Sequence, residues 1–282
     1  MADTASEMPK DEAGPFRRNI TRLGSATIRG IAYVGGVSNL LKDTAGWTWA
    51  GLTRKNVRFG RPNLYAQLVR LGLRSISVIL LVNGAIGLIL ALQLAPPLDD
   101  FGQVERVADI IAVAVVRELG PLITAIVLTG FAGAAVAAEL GTMVVGEEIE
   151  AMQAHALNPV RFLVVPRVIA AIVSMLVLSI IGEFIAIIAG WGIAVSLLAI
   201  PSGTYINNTR NILDTADVLT GLWKAGVFGA IIASIACYNG LKVTGGAAGV
   251  GRATTSTVVH SVVTIIFADL IFTAAFYAMG LN

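Results

Sequence analysis

The chain has 282 residues, 56% of them hydrophobic and 13% charged, with a formal net charge of +2. Such a composition is too apolar for an ordinary soluble domain and marks an all-α polytopic membrane protein, while the near-neutral charge argues against a nucleic-acid partner. The single cysteine, Cys237, lies in an apolar run, which excludes a disulfide framework and leaves redox chemistry little to work with.

Residues 1–14 are expected to form a disordered tail, since no apolar stretch follows their charges as a cleaved signal peptide would require. The segment 15–74 is basic, with Arg17, Arg18, Arg22, Arg29, Lys42, Arg54, Lys55, Arg58, Arg61, Arg70 and Arg74, and contains no uncharged run long enough to span. Trp47, Trp49 and Phe59 among those cations suit amphipathic helix lying in the headgroup layer; a solvated basic linker is the alternative. Residues 75–95 then form an uncharged run of bilayer length, the first span. Asn83, Gly84 and Gly87 thin it for close helix approach, and Pro96-Pro97 is expected to end it.

The second span, 107–138, contains Arg117-Glu118-Leu119-Gly120-Pro121. Charges at membrane depth are costly, so they face a cavity, a partner or an interface, or tie helices together. Pro121 lacks the N–H that would bond the Arg117 carbonyl, so the helix should loosen at the charges. Gly130 and Gly133 should thin it further on.

A polar interruption follows, with Glu147, Glu148 and Glu150. Val145, Ile149 and Met152 fall at i, i+4 and i+7, one apolar stripe of a short helix over about 142–156. This is either a docking helix or a solvated helix lying on lipid. Asn158-Pro159 stops it. The third span, 163–200, is longer than one perpendicular crossing requires, so it should tilt, bend near Gly182 or Gly190, or run along the interface. It holds Glu183. Residues 201–220 read as an external loop, 222–241 as the fourth span, 242–257 as a glycine-rich turn and 258–280 as the fifth span, with His260 and Asp269. The distribution of arginine and lysine places the amino terminus and the acidic short helix in the cytoplasm.

No catalytic residue is expected. The run Gly245 to Arg252 lacks the ending of a phosphate-binding loop, His155 and His260 have no ligand-spaced companions for a metal, and no serine sits in a nucleophile elbow. Energy for any transport must therefore come from an ion gradient, through Glu118, Glu183 and Asp269 with His260 as a further relay group, or from a separate ATPase acting on the cytoplasmic helix. No inverted repeat supports the first.

Arg117-Glu118-Leu119-Gly120-Pro121, Ala138-Glu139-Leu140-Gly141-Thr142-Met143, Glu148-Ile149-Glu150-Ala151-Met152, Asn158-Pro159, Pro166-Arg167, Arg252-Ala253-Thr254-Thr255 and Val258-Val259-His260-Ser261 occur in that order. Together they resemble the MCE-associated ABC permeases, the MlaE/YrbE family, from about Leu68 to the carboxyl terminus. The resemblance implies an amino-terminal interfacial helix, five spans and a cytoplasmic coupling helix. It also implies a subunit of the bacterial inner membrane that moves phospholipid between that membrane and an MCE-protein assembly. Expected partners are a second permease copy, cytoplasmic ABC ATPase subunits and an MCE-domain protein on the outer face. No cofactor is expected in this chain, with ATP and Mg held by the ATPase. Carried onto this sequence, Glu139, Thr142, Glu147, Glu148, Ile149 and Met152 would couple to the ATPase. Leu90, Gln93, Leu98, Phe101, Arg117 and Glu118 would contact lipid. Pro96-Pro97 and Asp99-Asp100 depart from the family pattern. The competing reading is an ion-coupled secondary transporter using Glu118, Glu183 and Asp269.

Overall fold

The computed structural model describes residues 15–53 and 61–280. The tail over 1–14, and Arg54, Lys55, Arg58 and Phe59 of the basic segment, lie outside them. Among the described residues there are helices and turns and no strand. The chain forms two compact units, one ending at Asn39 and one beginning at Leu40. The first is the leading part of α1 (Pro15–Thr53). The second contains the rest of α1 and every later helix, five of which are long and apolar enough to cross a membrane.

Helix α2 (Arg61–Leu71) passes through a short 3₁₀ turn into α3 (Ile76–Asp100), the first span. Contrary to expectation, Pro96-Pro97 does not end α3. The missing N–H groups leave only the Leu92 and Gln93 carbonyls without helical partners, and both residues are exposed. The stop comes at Gly102, whose left-handed backbone (φ 64°) lets Gln103 N–H reach back 2.8 Å to the Leu98 carbonyl.

The second span is three α-helical pieces, α4 (Val107–Ala114), α5 (Gly120–Leu128) and α6 (Ala134–Val145), joined by π-helical turns at Val115–Leu119 and Thr129–Gly133. The first turn is the loosening expected at Pro121: widening the turn moves the Arg117 carbonyl away from the proline ring. The second lies at the two glycines. A Cβ on Gly133 would meet Ile232 Cγ2 at 3.2 Å, whereas Gly130 faces open space.

Glu147 then takes a left-handed backbone (φ 59°), uncommon for a non-glycine residue, and α7 (Glu148–Ala154) sets off in a new direction. The expected continuous stripe is therefore broken. Val145 ends α6 and is exposed, while Ile149 and Met152 of α7 pack on the core. Asn158 caps the next helix, its Oδ1 accepting from Val160 N–H at 2.9 Å. A π-helical turn over Val160–Val164 leads into α8 (Val165–Ser196). Val160–Ser196 runs unbroken through Gly182 and Gly190 and is 37 residues long. At about 1.5 Å per residue that is roughly 55 Å, well beyond a ~30 Å hydrocarbon core.

The polar stretch after α8 is largely helical. It holds α9 (Ser202–Ile212) and the first turn of α10 (Thr215–Leu241), which begins before the expected residue 222. Asp214 and Asp217 form a reciprocal capping box, the local reason for that early start. Likewise the glycine-rich run is mostly helix: α11 spans Gly246–Ala278, and the turn shrinks to the residues before Gly245, which is left-handed (φ 84°). Hydroxyls of Thr254 and Thr257 fold back onto the Gly251 and Ala253 carbonyls (2.7 and 2.8 Å), so the polar run is at home in a helix.

Packing follows from small residues. Gly87 of α3 lies so close to Ala186 that an added Cβ would stand 2.8 Å from its Cα, and Gly221 of α10 abuts the Val116 carbonyl of the first π-helical turn. In a bilayer, where burial from water is not the driving force between helices, such close backbone approach is what holds spans together. Two apolar clusters result. One joins α3, α5, α6, α8 and α10 around Leu128, Leu140, Met175 and Phe228; the other joins the far ends of α3, α4 and α8 with α9 around Ile111 and Tyr205.

Candidate functional site: a buried ion network and an acidic elbow

The π-helical turn of the second span aims its two charges at α10 and α11. Arg117 Nε donates to Asp217 Oδ1, while Asp217 Oδ2 accepts from Asp214 N–H at 2.9 Å. Glu118 Oε2 receives a hydrogen bond from Lys224 Nζ, which also donates to Thr273 Oγ1 (2.8 Å) and stands 2.9 Å from Asp269 Oδ1. Thr273 in turn donates to Glu118 Oε1 at 3.1 Å. Lys224 is 2% exposed. One ammonium thus faces two carboxylates, in a medium where each charge is expensive unless paired. The network ties the second, fourth and fifth spans at the point where the second is loosest.

The opposite reach of α6 carries a second network. Glu139 pairs with Arg70 of α2 (2.6 Å) and with Arg167 of α8 (3.0 Å), and buried Arg167 also donates to the Leu163 carbonyl at 2.8 Å. Below it the elbow is held from two more sides. Arg161 lies 5.5 Å from the Trp47 ring and 5.2 Å from the Phe162 ring, and Asn63 donates to the Phe162 carbonyl (3.3 Å). Glu147, Glu148 and Glu150 project outward, exposed. The result is an acidic knob on a short helix whose apolar side is set into the bundle.

Of the residues expected at the elbow, Glu147 and Glu148 are on its exposed face. Thr142 is also exposed, its hydroxyl donating to the Glu139 carbonyl at 2.8 Å. Ile149 and Met152 face the core, and Glu139 faces Arg70 and Arg167. Of the residues expected to contact lipid, Gln93 of α3 and Phe101 just past its end are exposed, Leu90 and Leu98 lean on the second apolar cluster, and Arg117 and Glu118 engage α10 and α11. The acidic residues of the ion-coupled reading divide. Glu118 and Asp269 meet at Lys224, while buried Glu183 accepts from Ser179 Oγ (2.7 Å) on its own helix. Among the described residues no group of three or more His, Cys, Asp or Glu is arranged to hold a metal ion.

Asp217 and Lys224 are absent from the sequence-based site: position 217 falls in the expected external loop and position 224 near the start of the expected fourth span. A usable signal was present: the two lie seven apart, on one face of a helix that the Asp214–Asp217 cap extends outward. Beyond the membrane ends, α9 lies against α4 and α8. Tyr205 is buried and donates to the Ile187 carbonyl (3.2 Å), Asn208 donates to the Glu105 carbonyl (3.1 Å), and burial pushes the Tyr205 phenol up to about 12.

Five apolar helices, charges paired inside the bundle and an acidic knob at one end define a multi-pass membrane protein. Comparison with known proteins bears on which kind. The MlaE permease family model matches residues 64–275. A Rickettsia felis protein named "Probable ABC transporter permease protein" is 39% identical over 222 residues, covering 77% of this chain and 86% of its own. A Synechocystis protein of similar name is 36% identical over 212 residues, 75% of this chain and 81% of its own. The Haemophilus influenzae "Intermembrane phospholipid transport system permease protein MlaE" is 34% identical over 228 residues, 80% of this chain and 87% of its own. The chain belongs to the MlaE permease family, and is a permease subunit with the motifs and order that the sequence resemblance rests on.

Proposed function

We propose that this chain is the membrane subunit of an ATP-driven phospholipid transporter of the bacterial inner membrane. Two copies pair, cytoplasmic ABC ATPase subunits hold the acidic elbow, and an MCE-domain protein receives or delivers lipid on the outer face. The amino terminus lies in the cytoplasm, where the cations of α2 and the elbow gather. Support for phospholipid as cargo comes from the name of the Haemophilus relative. The observation that carries the ATPase role is the elbow itself: exposed Glu147, Glu148 and Glu150 on a helix whose other face, Ile149 and Met152, is packed into the bundle.

A pull on those carboxylates passes through α7 into α6 and α8, and Glu139 carries it to α2. Only a difference in nucleotide affinity between two arrangements of the bundle can drive the change. The π-helical turn at Val115–Leu119 is the compliant part of the second span. Lipid is expected to run past Leu90, Gln93, Leu98 and Phe101, with its phosphate competing with Asp217 for Arg117.

Affinity purification in mild detergent tests the reading. An ATPase, an MCE-domain protein and phospholipid should accompany the wild-type chain, and Glu148→Lys/Glu150→Lys should lose the ATPase while keeping the fold. Undiminished ATPase in the charge-reversed variant, or lipid movement by this chain without nucleotide, overturns it.

A further inference from the structure

The bundle buries the acids Asp217, Glu183 and Asp269. Asp217 and Asp269 each face a cation, whereas Glu183 forms no ion pair with any described residue. It stands well inside the 37-residue apolar helix Val160–Ser196 and is 8% exposed. Ser179 Oγ donates to its Oε1 at 2.7 Å. The side chain presses on the second span at Gly120, whose N–H closes the first π-helical turn onto the Val115 carbonyl. A Cβ on Gly120 would stand 2.4 Å from Glu183 Cγ and 3.2 Å from its Cδ, and the Val115 carbonyl borders the same notch, 2.7 Å from that point. The adjacent Gly182 is as tight against Asn83 of α3 and Thr124 of α5, which bond to each other at 3.3 Å. The charges of the neighbouring elements are turned elsewhere: Arg117 to Asp217, Lys224 to Glu118 and Asp269, and Arg70 and Arg167 to Glu139. Asp109 of α4 lies about three turns before Gly120 in the second span, and Arg74, just before α3, and Arg210 of α9 are exposed.

We infer that Glu183 is a proton-binding site: in this arrangement of the bundle it is a neutral acid, held between Ser179 and the notch at Gly120, and it gives its proton to water when the second span moves off it. A carboxylate alone at this depth is far costlier than a carboxylic acid, and only a proton is at hand to neutralise it. The neutral form has an O–H to place, and the Val115 carbonyl is the acceptor that borders its notch. Release follows from shape. Only glycine fits against Glu183, and relaxing the π-helical turn to a regular one rotates the second span by one residue. That rotation brings Leu119 or Pro121 to a place neither side chain can occupy, so the two helices must part. The carboxyl then loses its cover; its O–H bond breaks, the electron pair stays on the carboxylate and water takes the proton. Linkage fixes the sign: protons favour the covered arrangement, and rising pH favours the uncovered one. The bundle is thereby proton-sensitive without the proton being its source of energy. This goes beyond the function proposed above and does not depend on what the chain transports.

The test uses the full chain in nanodiscs and infrared difference spectra taken from about pH 5 to about pH 9. A carboxylic-acid carbonyl band should be present near neutral pH, vanish in Glu183→Gln and persist in Asp269→Asn. Ser179→Ala, which removes the hydroxyl at Oε1, should shift that band, and it serves as the second variant if Glu183→Gln does not fold. Spin labels at the exposed positions Phe131 and Val177 report the spacing between the second span and α8. That spacing should change over the pH range in which the band is lost, and in Glu183→Gln it should stay fixed. Absence of an acid band from Glu183 at neutral pH means an ionised carboxylate and overturns the inference. So does a band or a spacing that does not change with pH, or a spacing that responds to sodium at constant pH. Neither ATP hydrolysis nor lipid movement is read, so failure here is distinct from failure of the function proposed above.

Discussion

Replacing Lys224 with methionine keeps the length and most of the volume of the side chain but removes the ammonium. Glu118 Oε2 loses its donor, Asp269 Oδ1 loses the charge 2.9 Å away, and Thr273 loses a 2.8 Å contact. Lys224 and Asp269 are 2% and 8% exposed at their side chains, Glu118 36%. Removing one member of a buried ion pair costs about 3–5 kcal/mol, and the partial exposure of Glu118 brings the expectation to the lower end, ~3 kcal/mol. That is roughly a hundredfold in the folded-to-unfolded ratio. The discriminating variant is Lys224→Met/Asp269→Asn. It removes one of the two facing carboxylate charges and should recover about half of the loss, a coupling of 1–2 kcal/mol. Denaturation of the purified protein in mixed micelles measures both. If Lys224→Met is within ~0.5 kcal/mol of wild type, or if the two substitutions simply add, the network does not hold the spans together and the reasoning fails.

Glu139→Gln should lower stability by about 1–3 kcal/mol, because buried Arg167 keeps only the Leu163 carbonyl, and under the function proposed above it should uncouple ATP hydrolysis from lipid movement. Normal coupling in a melted-but-active variant would count against the α6–α2 link. Gly87→Val should cost about 1–3 kcal/mol or more, since the new side chain runs into the Ala186 backbone; an unchanged melting temperature would mean that α3 and α8 are not in close contact. Tyr205→Phe should cost about 1 kcal/mol at neutral pH through the bond to the Ile187 carbonyl. The wild-type phenol, with its folded value at about 12 against about 10 when unfolded, contributes fully below pH 10 and loses its contribution as pH rises toward 12. The gap between wild type and Tyr205→Phe should therefore narrow over that window; a constant gap would contradict the buried phenol.

The five spans were legible because membrane-length apolar runs have no competing explanation, and the loosened turn at Arg117 was legible because proline chemistry is local. The missed ends share one cause. Pro96-Pro97, Asp214 to Thr220 and Gly246 to Thr257 all look like stops by residue type, yet each lies at or near a helix end. There, a lost backbone bond can fall on exposed residues, a side-chain cap can replace it, and threonine hydroxyls can bond back to the helix. The elbow was read as one stripe because periodicity cannot register a single left-handed residue, Glu147.

The amino-acid sequence by itself determined that this is an all-α membrane chain, that Arg117, Glu118, Glu183 and Asp269 fall inside its apolar spans and which family it joins, since hydropathy and ordered motifs are properties of the linear chain. Only the tertiary structure decided who pairs with whom. Arg117 and Asp217 are 100 residues apart, and Glu118 and Thr273 are 155 apart. Spans that are adjacent in sequence need not be adjacent in the bundle. Their neighbours are chosen by close contacts such as Gly87 on Ala186 and Gly221 on Val116, and those depend on three-dimensional shape that no local pattern encodes.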